Sequence, residues 1–156
     1  MHPLQTLIMT ADFFGRNFAH NLEFFSDEQL SFTPAPTALC ALEITSAAAA
    51  NLLNMKAALT GGQFGSVAVE TPASRAKAQE LIVCASTGYA DWLKGLDGSD
   101  FDESVNLGFV TMSRGQCMMI PVIDLVHHHG QIAYIQTILG DTESHFHAVR
   151  MQGITS

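Results

Sequence analysis

The chain has 156 residues, of which 47% are apolar and 14% are charged. This length predicts one domain with a sizeable core, which we place over residues 1–156. The formal net charge is −8, and the seven Lys and Arg residues are scattered, so we expect no binding to nucleic acid or to an anionic membrane surface.

The first half of the chain predicts two long helices separated by a proline-rich break. Apolar residues recur at three- and four-residue steps over about Pro3–Phe25, as on one helical face. Ser26 and Gln29 have capping-box spacing for a short turn, and the prolines of Thr33–Thr37 then prevent the helix from continuing. The second helix is predicted over about Thr37–Thr60, because a Gly-Gly pair follows it.

The second half predicts two more helices and a long, Gly/Asp/Ser-rich connection between them. Thr71 is the predicted N-cap of the third helix, with Pro72 at its first position, and this helix extends to about Lys94. Within the connection, the segments "NLGFVTM" and "QCMMI" are candidates for a short strand or hairpin. The fourth helix is predicted over about Pro121–Leu139, with a glycine closing it.

The fourth helix has an unusual composition. From Leu125 to Gly140 there is no Asp, Glu, Lys or Arg. A helix without charges over that length has no fully solvated face. We therefore expect this helix to be central or shared with a second subunit, and the low charged share of the chain also favours a homodimer.

The cellular location is predicted from what the sequence lacks. The N-terminal apolar stretch is not preceded by Lys or Arg, and no apolar run reaches the ~20 residues of a membrane span. Cys40, Cys84 and Cys117 are odd in number and far apart, which argues against a disulfide framework. We expect a reduced, cytoplasmic protein, with Cys40 and Cys84 as inert helical residues and Cys117, near Arg114, as a weak candidate nucleophile.

Three consecutive histidines in the fourth helix carry the main chemical signal. Residues at i, i+3 and i+4 share a helical face, so a polar strip is predicted, whereas His129 points elsewhere. The members of this strip are Asp124, His127, His128 and Gln131. A carboxylate and an imidazole at i, i+4 can hold a divalent ion such as zinc or nickel, if another helix supplies a third ligand. The alternative is a hydrogen-bonded polar pair in the interior.

The remaining histidines lie towards the ends of the chain. His2, His20, His145 and His147 are therefore expected to be mostly solvated. The "HFH" of the tail, which contains His145 and His147, is a weaker candidate for adventitious metal binding.

The last helix resembles a known signature. "DLVHHHGQIAYIQTILGD" is similar to the last-helix sequence of the DinB/YfiT-like superfamily, which contains an "HHRGQ"-type segment and a "Y…LLG" ending. The stretch "ALEITSAAAAN" resembles the family's second-helix segment. The likeness covers most of the chain, with its specific part in the last helix.

This resemblance implies the architecture and a class of activity. The implied fold is all-α, an up-down four-helix bundle with a long, partly irregular connection before the last helix, and it is often a homodimer. Relatives hold a divalent metal with three histidines, one from the second helix and two from the fourth. They include thiol-S-transferases that use bacillithiol or mycothiol and proteins described as metal-dependent hydrolases.

The family's ligands carry over incompletely. The alignment puts Ala47 at the second-helix histidine, Asp124 at the first histidine of the last helix and His128 at the second. Two hypotheses follow. In one, the metal site is largely lost and the protein is a non-catalytic or small-ligand-binding homodimer. In the other, Asp124 and His128, completed by His127 or Glu43, form a rearranged site for a metal-dependent thiol-S-transferase or hydrolase.

Overall fold

The computed structural model describes residues 3–146, and this part of the chain is mostly helical with one small sheet. Its elements, in chain order, are α1 (Pro3–Leu22), a 3₁₀ turn (Gln29–Ser31), α2 (Ala41–Leu59), α3 (Arg75–Lys94), β1 (Ser104–Asn106), β2 (Thr111–Ser113) and α4 (Arg114–Ile138). The two strands are antiparallel, and Val105 is opposite Met112.

The helices pack around one core. Each of α1 and α2 contacts both α3 and α4. Phe18, Leu52, Ile82 and Leu125, one from each helix, are completely buried in this core. Tyr89 is also buried, and its hydroxyl donates a hydrogen bond to the Met118 carbonyl at 3.0 Å. Apolar burial from all four helices is therefore the main term that holds the fold together.

Contacts along α1 define the directions of its neighbours. Leu7 and Gly115, near the starts of α1 and α4, line one cavity, and Asn21 is hydrogen-bonded to Gln136 near the end of α4, so α1 and α4 are parallel. Gln79, near the start of α3, donates to the carbonyl of Ala19, near the end of α1, so these two helices are antiparallel.

Helix α2 is antiparallel to α4. Arg114, at the start of α4, donates to the carbonyl of Leu59 at the end of α2, and Ile44 lines a cavity with Ile135 near the end of α4. Thus α1 and α4 run one way and α2 and α3 the other. A strict up-down alternation along the chain would make α1 and α4 antiparallel, and the contacts correct that part of the prediction.

Two predicted boundaries in the first half needed correction. Helix α1 ends at Leu22 rather than Phe25, because the chain tightens into i→i+3 hydrogen bonds over the next residues. Helix α2 begins at Ala41, where Glu43 Oε2 accepts a hydrogen bond from the Cys40 N–H. The turn predicted at Ser26 is confirmed, since Ser26 and Gln29 exchange side-chain-to-backbone hydrogen bonds.

In the second half, competing caps moved two predicted helix starts. Helix α3 starts after Ser74, whose Oγ accepts from the Lys77 N–H, and not at Pro72. Helix α4 starts seven residues before Pro121, because Ser113 and Gln116 form a reciprocal capping box and the proline is accommodated inside the helix. The "QCMMI" segment is therefore helical and not a strand.

The long connection between α3 and α4 contains the short hairpin that the sequence predicted in this region. Its β2 strand leads directly into α4, and the backbone of Arg114 donates to the Glu103 carbonyl beside β1. Within residues 3–146, no helix combines the length and the apolar character needed to cross a bilayer.

Candidate functional site

The predicted polar strip forms on α4, with His128 at its centre. Gln131 Oε1 lies 2.7 Å from His128 Nδ1. With the Gln131 amide in this orientation its carbonyl oxygen accepts, and Nδ1 then carries the proton. In the neutral ring, the Nε2 atom then carries a lone pair. Nε2 lies 3.4 Å from Asp124 Oδ2. His128 and Asp124 are both half-buried, and they present two adjacent candidate ligand atoms.

The third member, His127, does not join this pair. Its side chain is exposed, and its ring centroid is 5.3 Å from that of His128. Glu43 does not complete the pair either, because its carboxylate turns back to the N-terminus of its own helix. That hydrogen bond lowers the Glu43 pKa. Neither residue that was expected to complete a rearranged site therefore lies in a ligand position.

Ala47 is the residue aligned with the family's second-helix histidine. The contacts of Ile44 with the His128 region and of Leu59 with Arg114 put Ala47 at about the level of His128 along α4. Its methyl group cannot coordinate an ion. Among residues 3–146, no group of three or more His, Cys, Asp and Glu side chains is arranged to hold a metal. The residues present therefore bring together only two of the three ligands that the resemblance implies, Asp124 and His128, and do not fit a three-ligand centre.

A mostly apolar cavity lies beside this strip. It has a volume of about 330 Å³ and is open to one side. Its lining comes from the loop before α2, from α2 and from the second half of α4. The lining residues include Pro34, Leu39, Ile44, His128, Gln131, Tyr134 and Ile135. Small-molecule sites are typically such apolar pockets with a few polar groups, and here His128 and Gln131 are those groups.

His129 points away from the strip, as its helical position predicts, and is buried against α1. Its Nε2 lies 2.7 Å from the Nδ2 atom of Asn21. The same Nδ2 donates to the Asn17 carbonyl, which identifies it as the amide nitrogen. His129 Nε2 therefore accepts, and the neutral ring carries its proton on Nδ1. Burial lowers the pKa of His129, in agreement with a neutral ring.

The terminal histidines are less solvated than expected. His145 is only 10% exposed: its ring stacks on Phe24 at a centroid distance of 3.4 Å, and Nε2 lies 2.7 Å from Asp141 Oδ2. This bond lowers the Asp141 pKa. His20 is also half-buried, next to Glu23. His2 and His147, with the remainder of the "HFH" segment beyond Phe146, lie outside the described residues.

The comparisons with known proteins add no family. No protein-family model matches the chain, and no curated protein is significantly similar to it.

Two of the three cysteines are poorly suited to act as nucleophiles. Cys40 and Cys117 are buried, and burial raises the pKa of both thiols, although Arg114 partly opposes this at Cys117. A raised pKa disfavours the reactive thiolate. Two positions correct the prediction: Cys40 is the N-cap of α2 rather than a helical residue, and Cys84 is exposed on α3.

Sequence reasoning missed the polar contacts between α1 and α4. Asn21 and Gln136 are nearly completely buried, and Gln136 Nε2 donates to the Asn21 carbonyl at 3.0 Å. A signal was present in α1, where Asn17 and Asn21 recur at i, i+4 on the face that carries Phe18. Buried amides at helical spacing indicate a partner on another helix.

Proposed function

We propose that the chain is a DinB-like four-helix bundle that has largely lost the family's metal centre and binds a small apolar molecule beside His128. The cavity of about 330 Å³ carries this proposal, because apolar walls enclose a histidine with a defined donor and acceptor side. The missing third ligand at Ala47 supports a non-catalytic role. The sequence resemblance in the last helix supports the family, and the packing of all four helices around one core supports a bundle.

Indole is a suitable probe of this cavity, since it is flat, mostly apolar and carries one N–H. We expect saturable shifts of the backbone amides around Ile44 and Ile135 in an NMR titration. Leu39→Ser removes part of the apolar wall from an exposed loop position, and it should weaken binding by about 1 kcal/mol. Phe109→Ser, at an exposed phenylalanine of the β1–β2 turn, is the matched control and should leave indole binding unchanged.

Metal-dependent transfer or hydrolysis is the second candidate function. The adjacent Asp124 and His128 atoms favour it, and Gln131 holds His128 in the tautomer that a ligand would need. The same purified, untagged protein distinguishes the two functions by elemental analysis. Our proposal expects zinc, nickel, iron and manganese well below one ion per chain. One ion per chain that His128→Ala removes, together with no indole binding, would overturn our proposal and favour the second function.

We further propose that a second copy of this chain covers the exposed face of α4. This α4 stripe consists of large apolar side chains at helical spacing, and two of them are strongly exposed: Ile123 at 56% and Tyr134 at 68%. The complete α4 stripe is Met119, Ile123, Tyr134 and Ile138. No charged side chain interrupts it from Leu125 onward. Tyr134 also lines the His128 cavity, so a partner copy would close that cavity.

Ile123→Glu should convert the dimer to a monomer of 16.8 kDa in sedimentation at micromolar concentration. In a twofold-symmetric interface the new carboxylate would lose water and would face the same carboxylate of the second copy. This like-charge contact costs several kcal/mol. Gln5→Glu adds the same charge at an exposed position of α1 and should leave the dimer intact. A wild-type protein that sediments as a monomer would disprove this self-association.

A further inference from the structure

A second cavity, with a volume of about 240 Å³, lies at the end of the fold where α1 and α4 both terminate. Asn21 contributes from the last turn of α1, and His129 and Gln136 contribute from α4. The segment after α4 folds over the opening and supplies His145 and Phe146. This cavity is separate from the His128 cavity, because His128 and His129 point to different sides of α4.

Two deeply buried side chains line this cavity with unused hydrogen-bonding atoms. His129 is 6% exposed and Gln136 is 4% exposed. His129 Nε2 accepts from Asn21, so its Nδ1–H remains as a donor. Gln136 uses Nε2 to donate to the Asn21 carbonyl, so its Oε1 remains as an acceptor. Neither remaining atom has a hydrogen-bond partner among the described residues. Neither atom is among the fully buried atoms that lack a partner, so both are accessible from solvent and available to a ligand.

The charge around the cavity favours a cation. Both α1 and α4 end here, and each helix C-terminus carries a partial negative charge. Glu143, an exposed acidic residue, also lines the cavity, whereas Asp141 is already paired with His145. Within residues 3–146, no Lys or Arg lines it. A bound anion would be repelled by the C-terminal carbonyl groups of both helices and by Glu143, and no Lys or Arg of the described lining would neutralise it.

Phe146 gives the cavity an aromatic side, beside small residues such as Ala133 and Ser144. The Phe146 ring lies 5.7 Å from the His129 ring and 5.7 Å from the Phe14 ring. Aromatic faces attract ammonium groups as well as apolar carbon atoms. The wall therefore suits a short organic cation better than a strongly hydrated inorganic one.

We propose that this cavity binds a small protonated amine that also carries a hydroxyl group. The ammonium group donates to Gln136 Oε1 and to the Glu143 carboxylate, and the hydroxyl oxygen accepts from His129 Nδ1–H. This site is independent of the apolar cavity beside His128, so one can fail without the other.

Three probes of nearly equal size test the proposal: ethanolamine, ethylene glycol and glycolate, which are a cation, a neutral molecule and an anion. Each is titrated into the complete chain, with backbone amide shifts followed by NMR. Ethanolamine should give saturable shifts confined to the amides near His129, Gln136 and Glu143. Ethylene glycol and glycolate should bind more weakly by roughly twofold to fivefold or more, because they lack the charge.

Two variants and one control complete the test. Glu143→Gln changes an exposed loop position and should weaken ethanolamine binding by roughly twofold to fivefold, whereas Glu70→Gln, at another exposed glutamate, should have no effect. Ala133→Leu should abolish binding by filling the cavity, while unchanged backbone amide shifts in the rest of the spectrum report that the fold is intact. Equal binding of the three probes, tighter binding of glycolate, or no saturable ethanolamine binding would overturn the proposal.

Discussion

Gly15→Ala is expected to lower the free energy of unfolding by about 1–3 kcal/mol, although alanine normally stabilises a helix relative to glycine. Gly15 is buried where α1 crosses α3, and an added Cβ would overlap the Oγ and Cβ atoms of Ser86. Ser86 is itself completely buried, so its side chain cannot move into solvent. The helices must therefore separate, which costs packing along both of them. Urea unfolding followed by circular dichroism measures the loss.

Two further variants identify the cause. Gly15→Ala combined with Ser86→Gly removes both overlapping atoms, so most of the lost stability should return. Gly88→Ala makes the same substitution in α3, where an added Cβ meets no atom within 4 Å, and it should stabilise by about 0.5–1 kcal/mol. Equal effects at Gly15 and Gly88 would show that α1 and α3 do not cross as the structure has them.

Asn21→Leu is expected to destabilise the protein by about 1–3 kcal/mol, because it leaves the buried Nε2 of His129 without its donor. Replacing both partners, with Asn21→Leu and His129→Leu, should restore part of this loss, since no polar atom of the pair then remains unpaired. The measurement is again the free energy of unfolding in urea. A double variant that is less stable than the sum of the two single changes would contradict a direct contact.

The pH dependence of stability gives the same contact a second readout. Burial lowers the folded-state pKa of His129 below its ordinary value of 6.5. Below that ordinary value the unfolded chain binds a proton that the folded chain does not, so stability falls as the pH falls from about 6.5 towards the folded-state pKa. Above 6.5 the contribution is fully present.

The His129→Leu variant isolates this contribution from the other titrating groups. Its stability should change less than that of the wild type over the same pH window. His145 lines the cavity beside His129, and its pair with Asp141 is retained in both proteins, so that pair cancels in the comparison. Superimposable pH profiles of the two proteins would exclude a buried, neutral His129.

Local sequence signals predicted the helices well and their starting residues less well. The apolar spacing of α1 and the Gly-Gly pair after α2 involve residues close together in the chain, so their effects could be read directly. At the start of α4, two local signals compete, and the Ser113–Gln116 capping box prevails over Pro121. The preceding hairpin favours the capping box, because Ser113 is both the last residue of β2 and the N-cap of α4.

For the candidate site too, some features could be predicted from the sequence and others required the tertiary structure. Residue spacing on one helix determined that Asp124, His128 and Gln131 share a face and that His129 does not, because the helical repeat is a local property. Ala47, in contrast, was singled out only by the alignment that the resemblance implies, and an alanine side chain cannot hold a metal.

Only the tertiary structure decided the partners of these residues. His129 is separated from Asn21 by 108 positions along the chain, and the contact exists because α1 and α4 are parallel. His145 was expected in solvent and instead packs on Phe24, since the segment after α4 folds back over the helix ends. The sequence determines which residues share a face of each helix. The directions and packing of the helices determine which faces contact each other, and both cavities lie where such faces pack.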